Sequence, residues 1–226
     1  MIFFRKAILI IHGFAGGTYD QESLANYLEK RWNFDVYSFT LPGHEKYTFK
    51  TSEFTEWIDA SENMIEMLLG YGYKDIYIVG HSMGGVIACY LTGKYSCVKK
   101  LVLAAPAFTY LTDSDSSIDK VKSAVKAVKN NDTNEILTRF LKLPITSINQ
   151  FKLLVKNYKD SYKKINVPTL VLQGDADTIV PPNSSLKIFN EINVKHKKYI
   201  SLKNITHDIF RECDIKTIKE VEKFLS

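Results

Sequence analysis

Residues 76–86 read IYIVGHSMGGV, four consecutive apolar side chains running straight into glycine, histidine and serine. A buried strand that must turn accounts for part of this, because glycine adopts turn conformations that other residues resist. The spacing says more. Gly80, Ser82 and Gly84 form G-x-S-x-G, and the motif stands where it has mechanical meaning, between an expected strand and an expected helix, Met83 to Lys94. A sharp strand-to-helix turn forces its central serine into an unfavourable backbone conformation, and side chains two residues to either side would collide. Glycine at both flanks removes the collision, and Gly85 is expected to let the helix approach the sheet. A serine held in that way is a candidate nucleophile.

Outward from this turn, short apolar runs alternate with segments of helical spacing. Strands are expected at Ala7 to Ile11, Asp35 to Phe39, Asp75 to Val79, Lys100 to Ala104, Thr169 to Leu172 and Lys197 to Ile200. Helices are expected at Glu22 to Arg31, Thr55 to Leu69, Met83 to Lys94, Ser184 to Glu191 and Lys216 to Leu225. The alternation predicts an α/β fold, a mostly parallel sheet of about six strands covered by helices on both faces. It breaks once, between Pro106 and Pro168, over a stretch too long for a simple connection. Ile118, Val121, Val125 and Val128 mark a helix there, Glu135 to Leu141 a shorter one, and Ile148, Phe151, Val155 and Tyr158 a third, which is assigned to the scaffold. With no repeat or linker, residues 1–226 are expected to form one domain, with 107–167 a small helical cap inserted after the fourth strand.

The chain has 226 residues, 45% apolar and 12% aromatic, enough for a continuous core in a single domain. Its opening, MIFFRKAILIIHGF, carries an uninterrupted apolar run of only five residues, Ala7 to Ile11. A secretory signal needs at least about seven and a membrane span roughly 18. A cytoplasmic protein without stable membrane insertion is therefore expected. Cys89, Cys97 and Cys213 have no C-x-x-C spacing and read as reduced thiols, and the five histidines show no metal-binding pairing, so neither metal nor cofactor is expected. Of the net charge of +5, an excess of seven positive charges falls between Ser116 and Lys164. Lysine outnumbers arginine 26 to 4 without interleaved aromatics, which favours a solvated helical face over nucleic-acid binding.

A serine hydroxyl is a poor nucleophile at neutral pH and needs a base, which needs an orienting acid. In this strand order the acid should follow first and the histidine second. GDADTIVPP, after the fifth strand, offers Asp175 and Asp177; LKNITHDIF, after the sixth, offers His207. Both stretches lie at carboxyl ends of strands, where open α/β sheets keep their sites. Asp177 is favoured because it sits deeper in its loop, with Asp175 capping the turn. Asp208 reads as a cap on the segment that follows it. His12 and His44 precede the serine, His196 falls before a strand, and His81, inside the elbow, is expected to point elsewhere. The oxyanion of a tetrahedral intermediate needs preplaced N–H donors. One would come from Met83, the residue after the serine, and the other from Phe14 in HGFAGG, with Gly13 letting the backbone turn towards the site.

Taken in order, IIHGFAGG, VGHSMGGV, LVLAAPA, LQGDADTIVP and THD resemble the α/β-hydrolase fold over nearly the whole chain. More narrowly they resemble the small bacterial carboxylesterases and monoacylglycerol lipases with a short helical cap. The resemblance implies a triad of Ser82, Asp177 and His207, oxyanion amides from Phe14 and Met83, and a cap between the fourth and fifth strands. With six residues before the first long strand, the leading antiparallel hairpin usual in the family is expected to be missing or truncated. The expectation is a serine hydrolase acting on a small-molecule ester of short to medium acyl chain. A monoacylglycerol lipase or an acyl thioesterase is the alternative within enzymes, and a ligand-binding protein without turnover the alternative outside them.

Overall fold

The computed structural model describes residues 5–45, 50–109 and 144–226. Within them six strands form one sheet: β1 (Lys6–Ile11), β2 (Phe34–Ser38), β3 (Ile76–His81), β4 (Val98–Ala104), β5 (Thr169–Gly174) and β6 (Lys197–Leu202). Their order is β2-β1-β3-β4-β5-β6 and every neighbouring pair is parallel. The helices are α1 (Glu22–Glu29), α2 (Phe54–Gly70), α3 (Met83–Lys94), α4 (Ile145–Tyr158), α5 (Pro182–Glu191), α6 (Ile209–Glu212) and α7 (Ile215–Leu225), with single 3-10 turns at Thr18–Gln21 and Ser161–Lys164. All six expected strands are present within two residues of their expected ends. The short α6 and the 3-10 turns, too brief for a periodicity, were not expected.

The central strands carry uninterrupted apolar runs, AILII in β1, IYIV in β3, LVLA in β4 and LVL in β5, because both faces are covered there. Ala7, Leu9, Ile11, Ile76, Ile78, Leu101, Leu103 and Val171 enter one core with side chains of α2, α3, α4 and α5. Ile8, Ile10, Tyr77, Val79, Val102, Ala104, Leu170 and Leu172 enter a second core with α1, α6 and α7. Successive strand residues therefore alternate between two buried faces. Parallel crossovers are right-handed, so helices on connections that run in opposite directions along the sheet lie on opposite faces. α1, between β1 and β2, lies on the second core through Leu24 and Leu28; α2, between β2 and β3, lies on the first through Trp57, Ile65 and Leu68.

The direction of winding reverses between β1 and β3, where Ile11 pairs with Gly80. Open α/β sheets hold their sites in the crevice beyond such a switch point. Of the long connection between β4 and β5, residues 110–143 and with them the expected helices at Ile118 to Val128 and Glu135 to Leu141 lie outside the described residues. α4 buries Phe151, Leu154 and Val155 in the first core and so is part of the scaffold, as assigned from the sequence.

Helix α3 meets the sheet at its first turn. A Cβ on Gly84 would stand 2.6 Å from the His12 carbonyl oxygen, with that of Ile11 nearer still, and a Cβ on Gly80 would stand 2.7 Å from Cβ of Ala88. Gly85 faces Pro106 instead, at 3.0 Å, so the close approach expected of Gly85 belongs to Gly84. Gly84→Ala should therefore cost about 3 kcal/mol or more, since its methyl meets backbone that cannot turn aside. Gly70→Ala, where a Cβ meets nothing within 4 Å, should be neutral or stabilise by up to about 1 kcal/mol. Urea denaturation of the two variants checks the contrast.

Candidate active site

Ser82 has φ 54° and ψ −119°, a conformation that costs a non-glycine residue on the order of 1–3 kcal/mol. Its own peptide groups hold it there: its N–H donates to the Ala104 carbonyl at 2.8 Å, and its carbonyl accepts from Gly85 N–H at 2.9 Å and Ala107 N–H at 3.1 Å. The hydroxyl is thereby presented at the end of β3 rather than drawn into α3.

The loops after β5 and β6 are stitched together. Asp175 N–H donates to the Leu202 carbonyl at 3.0 Å, Ala176 N–H to that of Ile205 at 3.1 Å, and the Asp175 carboxylate accepts from Asn204 N–H at 2.7 Å. Asp175 thus fastens one loop to the other and stands away from the serine, while Asp177 and His207 are brought to it. His207 Nε2 lies 2.9 Å from Ser82 Oγ, and His207 Nδ1 lies 2.8 Å from Asp177 Oδ2. With Asp177 ionised, Nδ1 is the donor, which leaves the Nε2 lone pair facing the serine hydroxyl.

Asp177 is buried and fully hydrogen-bonded. Oδ1 accepts from the N–H groups of Ile179 at 2.8 Å and Val180 at 2.9 Å, and Oδ2 accepts from Gln173 Nε2 at 2.9 Å as well as from His207. Burial alone would push its carboxyl up; the charge and hydrogen bond of His207 and the two amides reverse this and hold it below the usual carboxylate range. Gln173 is fixed in turn by Ser185 Oγ, which donates to its Oε1 at 2.6 Å.

The loop after β1 lies on the other side of Ser82. A Cβ on Gly13 would stand 2.9 Å from Cβ of Ser82, so only glycine lets this loop come so close. His12 ties the loop down, with Nδ1 2.8 Å from the Gly13 carbonyl and Nε2 accepting from Leu41 N–H at 2.9 Å. The Phe14 ring stacks on Phe151 of α4 at 5.0 Å and meets Trp57 and His44 edge-on at 6.0 and 5.6 Å. Met83, buried, begins α3 directly after the serine.

Comparison with known proteins agrees with this layout. The profile of the family described as "alpha/beta hydrolase fold" matches residues 6–153, and one described as "Serine aminopeptidase, S33" matches residues 117–214. This chain belongs to the alpha/beta hydrolase fold family. It is similar to a thermostable monoacylglycerol lipase of Bacillus sp. (strain H-257), 25% identical over 213 residues that cover 88% of this chain and 82% of that protein. It is similar also to a carboxylesterase of Bacillus subtilis (strain 168), 25% identical over 204 residues that cover 85% and 80%. Among solved structures, a monoacylglycerol lipase of Paleococcus ferrophilus superposes with a TM-score of 0.72 at 21% identity, covering 97% of this chain and 93% of that one. The chain is an enzyme, a hydrolase with esterases and lipases among its relatives. Among its described residues no helix is long and apolar enough to cross a membrane.

Three polar side chains of this hydrolase shape the site without having been singled out for it from the sequence: Gln173 behind Asp177, His12 under the loop after β1, and His81, whose Nε2 lies 2.8 Å from the His207 carbonyl. Each interrupts an apolar strand or strand end, which is the one signal the sequence offers. Asp208 corrects an expectation. It occupies the N-cap position of α6, but its side chain makes no capping bond, and Oδ1 is buried without a hydrogen-bond partner. Burial pushes its carboxyl up to about 6.

Burial lowers His12 to about 3, helped by His44, and lowers His81 to about 3, helped by His207; burial lowers His44 as well. Unfolded, these histidines titrate near 6.5. Below that pH the unfolded chain binds more protons, so their contribution is complete above about 6.5 and is lost as pH falls towards the folded values. Asp208 has the opposite sign over its smaller interval, from about 6 down to its unfolded value near 3.9. Three groups outweigh one, and stability should fall by on the order of 2 kcal/mol or more between pH 7 and pH 5.5. Urea titrations across that interval should show a falling midpoint; a flat profile would contradict neutral burial of these rings.

Proposed function

We propose that this hydrolase cleaves carboxylic esters by way of an acyl-enzyme, with Ser82 as nucleophile, His207 as general base and acid, and Asp177 as orienting carboxylate. The unbroken hydrogen-bonded chain from Ser82 through His207 to Asp177, with spacings of 2.9 and 2.8 Å, is the observation that carries this reading. Ser82 Oγ attacks the ester carbonyl as its proton passes to His207 Nε2, and Asp177 stabilises the imidazolium. The N–H groups of Phe14 and Met83 take the oxyanion. His207 returns the proton to the departing alcohol, and water repeats the sequence to release the acid. A fluorophosphonate probe should label Ser82, and Ser82→Ala should abolish labelling and ester hydrolysis together; folded protein that does not label would favour a ligand-binding role.

Asp177→Asn should lower kcat by roughly 10⁴, the cost of misorienting the imidazole in serine proteases. Asp175→Asn, which keeps an oxygen to accept from Asn204 N–H but gives up the charge on that bond, should act on stability and leave kcat within a few-fold. A kinetic comparison of the two variants decides the acid, and a more damaging Asp175→Asn would overturn the assignment.

For the substrate we propose esters of short to medium acyl chain, in a single domain in which residues 107–167 supply a small cap. α4 already belongs to the scaffold, which leaves little chain for a roof. The Phe14–Phe151 stack next to the nucleophile supports a short apolar pocket. Each buried methylene stabilises a bound chain by about 0.8 kcal/mol until the pocket is full. The names of the two Bacillus relatives favour ester cleavage and leave monoacylglycerols of similar length as a second substrate class. The three free thiols suit a reducing cytoplasm. Values of kcat/KM for p-nitrophenyl esters should rise from acetate, peak before palmitate and then fall. A steady rise to palmitate would favour a lipase.

A further inference from the structure

His81 lies between the parts of the proposed relay without belonging to it. It directly precedes the nucleophile, it is buried at 4% exposure, and its Nε2 stands 2.8 Å from the backbone carbonyl of His207. That carbonyl has one other donor, Ile209 N–H at 2.9 Å, so its two lone pairs are both engaged. The two imidazole rings lie 5.0 Å apart at 42°, and Phe210 meets the His81 ring edge-on at 6.3 Å. The loop after β1 comes close to the ring as well, since a Cβ on Gly13 would stand 3.2 Å from its Nδ1.

We infer that His81 is a positioning residue for the base: by donating from Nε2 to the His207 carbonyl, it fixes the backbone of His207 to the strained turn that carries Ser82. The inference rests on the proposed roles of Ser82 and His207. His207 reaches the serine across 125 residues of chain, through the loop after β6. Asp177 restrains the His207 ring, but its own loop is tied to that same loop, so the two could shift together. The bond from His81 ties the base to the nucleophile's own turn, and the 2.9 Å gap is then set within one rigid unit. The buried ring stays neutral, lowered to about 3, so it donates throughout the neutral range. An apolar side chain would fill this space without the cost of burying an imidazole, which makes simple core filling a poor account of the residue.

Three substitutions separate donor from shape. His81→Phe keeps a ring and removes the donor; His81→Gln places an amide nitrogen near the position of Nε2; His81→Asn places it near Nδ1. With p-nitrophenyl butyrate, His81→Phe should lower kcat about 10- to 100-fold, the scale of a misplaced reacting group, with KM and Tm nearly unchanged. Fluorophosphonate labelling should slow in parallel. His81→Gln should recover most of the rate and His81→Asn little. Wild-type kcat in His81→Phe, or His81→Gln as slow as His81→Asn while equally folded, would overturn the inference, and the second comparison decides if His81→Phe does not fold. Labelling of the wild-type protein tests the underlying reading separately. Were that to fail, the downfield Nδ1–H proton resonance of His207 still reads the geometry: it should shift or broaden in His81→Asn and return in His81→Gln, and an unchanged resonance in both would sink the idea.

Discussion

The backbone of Ser82, held at φ 54° by hydrogen bonds from its own peptide groups, is the constraint on which the rest of this structure depends. The strain has to be offset elsewhere, and the surroundings show where. β3 is buried along its whole length, α3 is buried over most of its residues, the end of β4 contributes the carbonyl of Ala104, and the loop after it contributes the N–H of Ala107. A relaxed serine would continue the helix and turn its hydroxyl into the packing. The glycines around it follow from the same demand, since the chain can reverse this sharply only where a helix backbone comes within contact of strand carbonyls, with no side chain between them.

The sheet order decides where that strained residue sits. Winding from β1 outward to β2 and then back across to β3 places the carboxyl ends of β1 and β3 side by side with no crossover helix above them. The loop after β1 falls against one side of Ser82 and the loops after β5 and β6 against the other. Covalent neighbours supply almost none of the contacts that define the site. It is assembled from strand ends, and its precision comes from the rigidity of a sheet buried on both faces.

This division explains what the sequence disclosed. Uninterrupted runs such as AILII and IYIVG announce strands buried twice, and G-x-S-x-G announces the elbow, because both are local consequences of packing. Asp177 and His207 were legible through their order and their place after strands. Residue type at a spacing does not reveal a bond to a carbonyl 126 residues away, as His81 makes, nor the choice of Gln173 as the partner that completes the Asp177 shell. Asp208 misled for a related reason: its N-cap position follows from local sequence, whereas the burial that leaves its Oδ1 without a partner comes from tertiary packing. The shift of the close approach from Gly85 to Gly84 is likewise a matter of which face of α3 the sheet meets.

Four of the five histidines are buried near one another, and their partners divide the labour among them. His12 uses one nitrogen on a carbonyl and accepts an amide N–H with the other, an arrangement a protonated ring could not satisfy. His81 gives its buried Nε2 to a carbonyl and is held neutral by burial. Such rings act as uncharged clips, and adding a proton to either would cost both desolvation and repulsion from the neighbouring ring. His207 differs in having a buried carboxylate against one nitrogen and a hydroxyl against the other. A proton arriving at its Nε2 would meet the opposite charge of Asp177, itself held by three further donors. Similar burial thus gives two kinds of surroundings, and among the four rings a carboxylate at hydrogen-bonding distance marks out His207, the one for which a general-base role is proposed.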